Sequence, residues 1–236
     1  MTQVAQAVQA APAPSAKDRR TAILGAAARV IARRGVRGLR VTELAEEAGV
    51  STGLIYYHFK DRTGVLRHTL EHINDRAERY TTAQQADAAP LTPREELDQV
   101  LLLELQDTAE VRENSTVWGE LRAGAVFEPD LREELVRAGA AWVREIADLL
   151  APIAPAAPEA ARVAAAERLT VLLEGLSVRW LIGTLPAGHA TALMREAIAA
   201  EVAALCSQPS HLTEISVSVT VASTATPTHA RSAPST

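Results

Sequence analysis

Cysteine, lysine, aromatic residues and long apolar runs are all scarce in this chain of 236 residues. Cys206 is the single cysteine, which excludes an internal disulfide and favours a reducing compartment. Aromatic residues make up only 3% of the chain, so an aromatic cage is not expected to dominate any site. No uninterrupted apolar run reaches the length of a membrane span. We therefore expect a cytoplasmic protein that does not contact a membrane.

The rest of the composition favours a helical globular protein. Hydrophobic residues account for 47% and charged residues for 22%, as in ordinary soluble domains. Alanine is abundant, which favours helix over sheet. Nothing in the composition indicates a cofactor. The chain is expected to be all-α.

Apolar residues recur at helical spacing along most of the chain, and several helix ends carry local signals. Gly35 and Gly49 follow two such patterns, where a helix C-terminus is expected. Thr92-Pro93-Arg94-Glu95 forms a capping box with proline at the first helical position. About nine helices are predicted, over 18–34, 41–48, 52–58, 62–82, 93–105, 114–125, 129–150, 159–182 and 187–205.

Both ends of the chain have a composition typical of disorder. Residues 1–16 are rich in Ala and Pro and carry no charge, which predicts a disordered arm. Thirteen of residues 207–236 are Ser or Thr, which predicts a disordered tail. Within that tail, apolar residues alternate with Ser or Thr from Ile215 to Val221, a pattern that suits a strand. Order and disorder both remain open there.

Charge is divided unevenly along the chain. The net charge is −5, which by itself argues against binding nucleic acid. Between Lys17 and Arg62, however, ten basic residues face five acidic ones, and the remainder carries a net −10. A basic module joined to an acidic domain is typical of a nucleic-acid reader with a separate sensing domain. From charge alone, basic residues that merely solvate helix faces are an equally good explanation.

Residues 41–59 have the pattern of a helix-turn-helix. Two short helices are joined at Gly49, and the second follows a capping serine. The second helix of such a motif enters the major groove, where its first residues reach base edges. Here that helix starts with small residues, which permit close approach to DNA. Ile55 and Phe59 lie four residues apart and face the core, which directs the aromatic residues between them elsewhere.

The sequence VTELAEEAGVSTGLIYYHFKDR, residues 41–62, resembles the N-terminal signature of the TetR family of bacterial transcriptional regulators. This resemblance covers about 50 residues of motif. Two later phrases, Trp118-Gly119-Glu120-Leu121 and Leu173-Glu174-Gly175-Leu176, resemble the choline-sensing regulators within that family. The resemblance implies an N-terminal DNA-binding domain over 17–64 and a larger helical domain over 65–206. That second domain is expected to bind a ligand and to form the dimer.

The resemblance also implies which residues contact DNA. Base contacts are expected from Thr42, Ser51, Thr52, Gly53 and Tyr56, and phosphate contacts from Arg19, Arg20, Arg40, Tyr57, His58, Lys60 and Arg62. Two positions depart from the family pattern. Arg40 stands where Ser or Thr often caps the second helix, so it can offer charge but not a cap. Thr42 stands where a longer base-reading side chain is frequent.

The resemblance further implies a homodimer, formed through the helices at 159–182 and 187–205, that binds a near-palindromic operator. The function expected is a repressor released by a small molecule of unknown identity. Polar groups on apolar stripes and large aromatic residues are the candidate ligand contacts: Glu104, Trp118, Glu120, Phe127, Trp142, Ser177 and Trp180. An acidic residue beside tryptophans would favour a cationic ligand. The simpler interpretation makes each of them an ordinary core or surface side chain.

Two other classes of protein are alternatives to a ligand-released repressor: an enzyme, which fits the sequence less well, and an effector-independent DNA-binding protein, which fits it equally well. His68 and His72 are spaced to share a metal ion, but no third ligand stands at a recognisable spacing, so no metal site is predicted. Cys206 lacks a paired base, and no phosphate-binding glycine loop or nucleophile elbow is present, which disfavours a helical-bundle enzyme. An effector-independent DNA-binding protein of the same fold remains the alternative to a ligand-released repressor.

Overall fold

The computed structural model describes residues 15–85 and 90–207, and within these ranges it contains nine α-helices and no strand, as predicted. The helices are α1 (Ala16–Gly38), α2 (Val41–Ala48), α3 (Thr52–Phe59), α4 (Arg62–Gln85), α5 (Pro93–Leu103), α6 (Ala109–Ala125), α7 (Pro129–Leu150), α8 (Glu159–Leu181) and α9 (Ala187–Ser207). None of these described helices is long and apolar enough to cross a bilayer. The predicted arm before residue 15, and the predicted tail and strand after residue 207, lie outside the described residues.

Helices α1 and α6 begin earlier than the apolar pattern predicted, because capping side chains start them. Ser15 accepts a hydrogen bond from the Asp18 amide at 3.1 Å, and Asp18 accepts one from the Ser15 amide at 3.0 Å. This capping box begins α1 at Ala16, inside the range assigned to the arm. Thr108 caps α6 by accepting a hydrogen bond from the Val111 amide at 3.2 Å, so α6 begins at Ala109, five residues before the predicted start at 114. Ser207, assigned to the tail, ends α9.

Gly35 interrupts α1 where the sequence predicted a helix end. Its φ of 72° lies in the left-handed region, which favours glycine. One further turn follows, and the Leu39 amide closes it on the Val36 carbonyl at 3.1 Å. This α1–α2 turn (residues 35–40) leads directly into the helix-turn-helix.

Two hydrophobic clusters build the molecule, and α6 contributes to both. The first joins α1 to α4 with Val117 and Leu121 of α6 and Leu131 of α7. The second joins α5, α8, α9 and the C-terminal half of α7 with Val111 of α6. The N-terminal helices therefore pack directly onto the rest of the structure, and both α6 and α7 contribute to the two clusters.

Candidate nucleic-acid interface

The α2–α3 pair has the geometry of a helix-turn-helix. Gly49 ends α2 in the left-handed conformation with φ 65°, and the Val50 amide donates to the Ala45 carbonyl at 3.0 Å. Ser51 caps α3 by accepting a hydrogen bond from the Leu54 amide at 3.2 Å. Ile55 and Phe59 bury one face of α3 in the first cluster. Local caps and two apolar anchors thus fix α3 and leave its other face outward.

The residues predicted to contact bases are all exposed. Thr42 on α2 and the small residues that open α3 lie at the surface. The side chain of Tyr56 is 51% exposed and that of Tyr57 is 80% exposed. Exposure of two adjacent aromatic rings is unusual for a folded domain unless a partner covers them. The outward face of α3 is therefore suited to contact DNA.

The predicted phosphate contacts differ in their surroundings. Arg40 and Lys60 are exposed, and Arg40 precedes α2 without a side-chain capping bond, as its departure from the family pattern implied. The Arg20 guanidinium lies 5.5 Å from the centre of the Phe59 ring. His58 is half-buried and meets the Tyr57 ring edge-on at 5.2 Å. Arg19, at the start of α1, is exposed.

Much of the positive charge on α1 is neutralised within the domain. Arg29 and Arg33 bind the two carboxylate oxygens of Glu47 at 2.8 and 2.5 Å, and Arg34 pairs with Glu43. The hydrogen bonds from Arg33 and Arg29 lower the pKa of Glu47 to about 2. The local excess of basic residues seen in the sequence therefore overstates the charge available to DNA.

Arg62 has contacts that the sequence did not indicate. Its three nitrogens donate to the Val36 carbonyl at 2.6 Å, the Leu39 carbonyl at 3.2 Å and Glu128 at 3.0 Å. The first two acceptors belong to the α1–α2 turn, and the third precedes α7. The guanidinium predicted to bind a phosphate is thus engaged within the chain.

The candidate ligand residues fall into two separate places, and the first lies against the first hydrophobic cluster and the α1–α2 turn. Trp118 packs on the first cluster. Glu120 accepts a hydrogen bond from the Val36 amide at 3.0 Å. Phe127 is 70% exposed, with the Arg37 guanidinium 5.2 Å from its ring. These three residues lie at the contact between the two domains.

The other four candidates belong to the second cluster or its helices. Trp142 is partly buried there and Trp180 is fully buried, with the Arg112 guanidinium 4.7 Å from the Trp180 ring. Ser177 is buried on α8, one turn before Trp180. Burial raises the pKa of the Glu104 carboxyl, at the end of α5, to about 7. The second cluster thus contains two tryptophans, and the end of α5 carries one acid that is costly to ionise.

Two further polar residues in α6, Asn114 and Ser115, are buried although the sequence did not single them out. Asn114 donates its amide to the Ile73 carbonyl at 3.2 Å, while its own oxygen has no hydrogen-bond partner among the described residues. The Ser115 hydroxyl and the Trp180 indole nitrogen are likewise buried without a partner there. Unsatisfied buried polar atoms are costly and mark candidate contacts for a ligand or water. The sequence carried no such signal, because the pair stands at the predicted helix start at 114, where Asn and Ser are ordinary capping residues.

Two open grooves lie along α8, and none of the seven candidate ligand residues lines either of them. The larger, of about 650 Å³, runs between α8 and α9, and the smaller, of about 540 Å³, lies between α8 and α6. Val171, Gly175 and Arg179 line both. In the described ranges no three His, Cys, Asp or Glu side chains converge as a metal site. His68 instead contacts Glu71 at 2.7 Å.

Comparison with known proteins covers both halves of the chain. Residues 23–69 match the family model of bacterial regulatory proteins of the tetR family, and residues 93–203 match that of the C-terminal domain of BetI-type transcriptional repressors. The HTH-type transcriptional regulator BetI of Burkholderia thailandensis is 31% identical over 72% of this chain and 84% of its own length. The corresponding protein of Burkholderia cenocepacia is 29% identical over the same shares.

Solved structures agree with these matches. A TetR-family transcriptional regulator from Rhodococcus sp. is 46% identical, covers 78% of this chain and 98% of its own, and superposes with a TM-score of 0.70. A transcriptional regulator from Saccharomonospora viridis, solved in complex with choline, is 26% identical over 78% and 97% of the two chains, with a TM-score of 0.65. The predicted family and the predicted class of function are confirmed. The chain belongs to the TetR family of bacterial transcriptional regulators and is a DNA-binding transcriptional repressor of the BetI type.

Proposed function

We propose that this repressor acts in the cytoplasm as a homodimer, binds a near-palindromic operator through two copies of α3, and is released by a small organic cation. The observation that carries the operator contact is the outward face of α3, whose first residues are exposed and whose Tyr57, in the C-terminal half of the helix, is 80% exposed. Ser51, Thr52, Gly53 and Tyr56 would contact bases, and Tyr57 and Lys60 phosphates. Each α3 spans only a few base pairs, so specificity requires two half-sites roughly 34 Å apart or a multiple of that spacing.

An electrophoretic-shift titration tests the operator contact. The duplex is the DNA upstream of the gene, compared with a scrambled duplex of equal length. Specific, salt-sensitive binding by two chains per site is expected, and Tyr57→Ala combined with Lys60→Ala should abolish it. Val136→Ala, at an exposed site on α7, is the matched control and should bind like the wild type. If upstream duplex and scrambled duplex bind equally, selection of bound genomic fragments decides whether the operator lies elsewhere.

A second copy of the chain is the proposed occupant of the α8–α9 face. Val171, Val178 and Ile182 are 69%, 47% and 67% exposed. Their spacing of seven and four residues forms one stripe along α8 that ends at Ile182, the residue that follows the helix. Gly175 lies in the same stripe. The neighbouring α9 exposes Ala192, Ala199 and Ala203 at a similar spacing. Small and β-branched apolar residues of this kind permit close helix contact between two copies.

Sedimentation of matched variants tests that face. Val178→Arg should shift the protein from dimer to monomer, because a guanidinium would be buried without a partner in the four-helix interface. Val136→Arg introduces the same charge at an exposed site on α7 and should leave the dimer intact. Dissociation by both variants, or by neither, would place the interface elsewhere.

The proposed effector is a small quaternary ammonium ion such as choline. The Saccharomonospora viridis relative was solved with choline, and the second cluster of this chain offers the chemistry that attracts such a cation. Glu104 supplies a carboxyl in a desolvated site and Trp142 supplies a ring face, while the Arg112 guanidinium 4.7 Å from the Trp180 ring shows that a cation is already accommodated there. The unsatisfied atoms of Ser115 and Trp180 are further polar contacts for a ligand.

Calorimetric titration with choline tests the effector, together with release of the operator duplex. Trp142→Phe and Glu104→Gln should weaken choline binding. Trp118→Phe is the matched control, because Trp118 packs on the first cluster and not the second. Choline and related cations that bind neither the free protein nor its operator complex would support the alternative, an effector-independent regulator.

A further inference from the structure

We propose that Arg62 is a positioning residue for operator binding, which clamps the helix-turn-helix at both ends and ties it to the larger domain, rather than a phosphate contact. This inference rests on the proposed operator binding. Glu120 supports the same α1–α2 turn from the other side. The pair of side chains thereby sets the orientation of α3 without touching DNA.

The helix-turn-helix is bounded in the chain by the α1–α2 turn and by the start of α4. Arg62 is the first residue of α4, and its Nε donates to the Leu39 carbonyl at 3.2 Å. Nη2 of the same guanidinium donates to the Val36 carbonyl at 2.6 Å. One rigid, planar group therefore joins the two chain segments between which α2 and α3 are held.

The third nitrogen of Arg62 fixes this clamp to the larger domain. Nη1 donates to Glu128 Oε1 at 3.0 Å, and Glu128 lies immediately before α7. The two side chains are 34% and 29% exposed, so the pair is partly shielded from solvent. Three of the five guanidinium N–H donors are therefore engaged within the chain. A phosphate at the remaining two would approach the Glu128 carboxylate, which repels it.

Glu120 supports the turn from α6. Its Oε2 accepts from the Val36 amide at 3.0 Å, on the residue whose carbonyl binds Arg62. A Cβ at Gly35 would lie 2.6 Å from the same oxygen, so glycine at this position lets Glu120 approach the turn closely. The left-handed φ of 72° at Gly35 is a second reason for glycine. The α1–α2 turn is thus held through side chains from α4 and α6.

The salt dependence of operator binding separates positioning from phosphate contact. Each neutralised phosphate contributes about −0.9 to the slope of log K against log salt, so removing one phosphate interaction from each of the two subunits changes the slope by about 1.8. Arg62→Gln should weaken operator binding about tenfold or more with an unchanged slope. Lys60→Gln, two residues away and exposed, is the matched comparison and should reduce the slope by about 1.8. A slope reduced by that amount in Arg62→Gln would overturn the inference.

The direction in which a second substitution changes operator affinity gives an independent test. Glu128→Ala removes the negative charge that is paired with Arg62 and frees one side of the guanidinium. If Arg62 were available as a phosphate contact, both effects would tighten operator binding. If Arg62 is a positioning residue, Glu128→Ala should instead weaken operator binding and leave the salt slope as in the wild type. The double variant Arg62→Gln with Glu128→Ala should then bind the operator no more weakly than Arg62→Gln alone. Tighter binding by Glu128→Ala would overturn the inference.

A measurement without DNA separates failure of this inference from failure of the proposed function. Hydrogen exchange of the Val36 amide should accelerate in Glu120→Ala. The effects of Arg62→Gln and Glu128→Ala on the unfolding equilibrium constant should not be independent, so that the double variant departs from the product of the single effects by about threefold. Additive unfolding together with unchanged exchange would show that the clamp does not exist in solution. Intact coupling in a protein that binds no operator would refute the proposed function instead.

Discussion

Replacing Glu104 by Gln should stabilise the protein above neutral pH and not below pH 4.5. The unfolded chain loses the Glu104 proton near its ordinary pKa of 4.5, whereas burial holds the folded pKa at about 7. Between these values the unfolded state binds fewer protons, so stability falls as pH rises. The pKa difference corresponds to about 3 kcal/mol once the pH exceeds the folded pKa. Glutamine has nearly the same shape and does not ionise.

Urea unfolding at a fixed protein concentration measures this difference. The stability of Glu104→Gln relative to wild type should rise between pH 4.5 and pH 7 and stay constant above pH 8. Glu133→Gln, at an exposed site on α7, controls for the general loss of one negative charge. A difference between Glu104→Gln and wild type that does not vary with pH would refute the burial argument.

The same carboxyl links pH to the proposed effector. A cation beside Glu104 binds the ionised form, which with a pKa of about 7 is a minor species at pH 6 and the major one at pH 8. Choline should therefore bind about tenfold more weakly at pH 6 than at pH 8. Glu104→Gln should remove this pH dependence. Persistence of the pH dependence in the variant would assign it to another group.

Three further substitutions test the local architecture. Gly64→Ala would bring a Cβ to 2.0 Å from the Phe59 carbonyl oxygen, so we expect a loss of about 1–3 kcal/mol in urea unfolding and weaker operator binding. Gly35→Ala combines a left-handed φ with the Glu120 contact and should cost at least about 1–2 kcal/mol, measured in the same way. Glu47→Gln should lower the melting temperature at pH 7, because the pKa of Glu47 is depressed to about 2, and the difference should vanish as pH falls through that value.

The elements that short-range signals specify were predicted best. The bounds of α2 and α7 agree with the sequence prediction, because Gly49 ends one and Pro129 opens the other. The predicted start of α6 is too late because it follows the apolar pattern rather than Thr108, a capping residue in a polar segment. Caps and glycines act within four residues, so the information for them is local, and the missed caps at Ser15 and Thr108 could have been found from the sequence.

Long-range contacts explain what the sequence did not predict about Arg62 and Glu120. Arg62 meets its carboxylate partner 66 residues further along the chain, and Glu120 meets its amide donor 84 residues earlier. A family pattern transfers the type of residue but not the group it faces. The sequence could thus predict which basic residues belong to the DNA-binding motif. Only the three-dimensional structure could show which of them is free to contact a phosphate and which is held by contacts within the chain.

α6 is one of two helices, with α7, that contribute to both hydrophobic clusters. A polar residue on an apolar stripe indicates burial, but the stripe does not tell which cluster it faces. Glu120 faces the DNA-binding domain, while Val111, less than three turns earlier, packs in the second cluster. A ligand that displaces the start of α6 must therefore shift the same helix that holds the α1–α2 turn. Coupling then requires only that the ligand bind more tightly to the displaced arrangement of α6 than to the one that orients α3 for the operator.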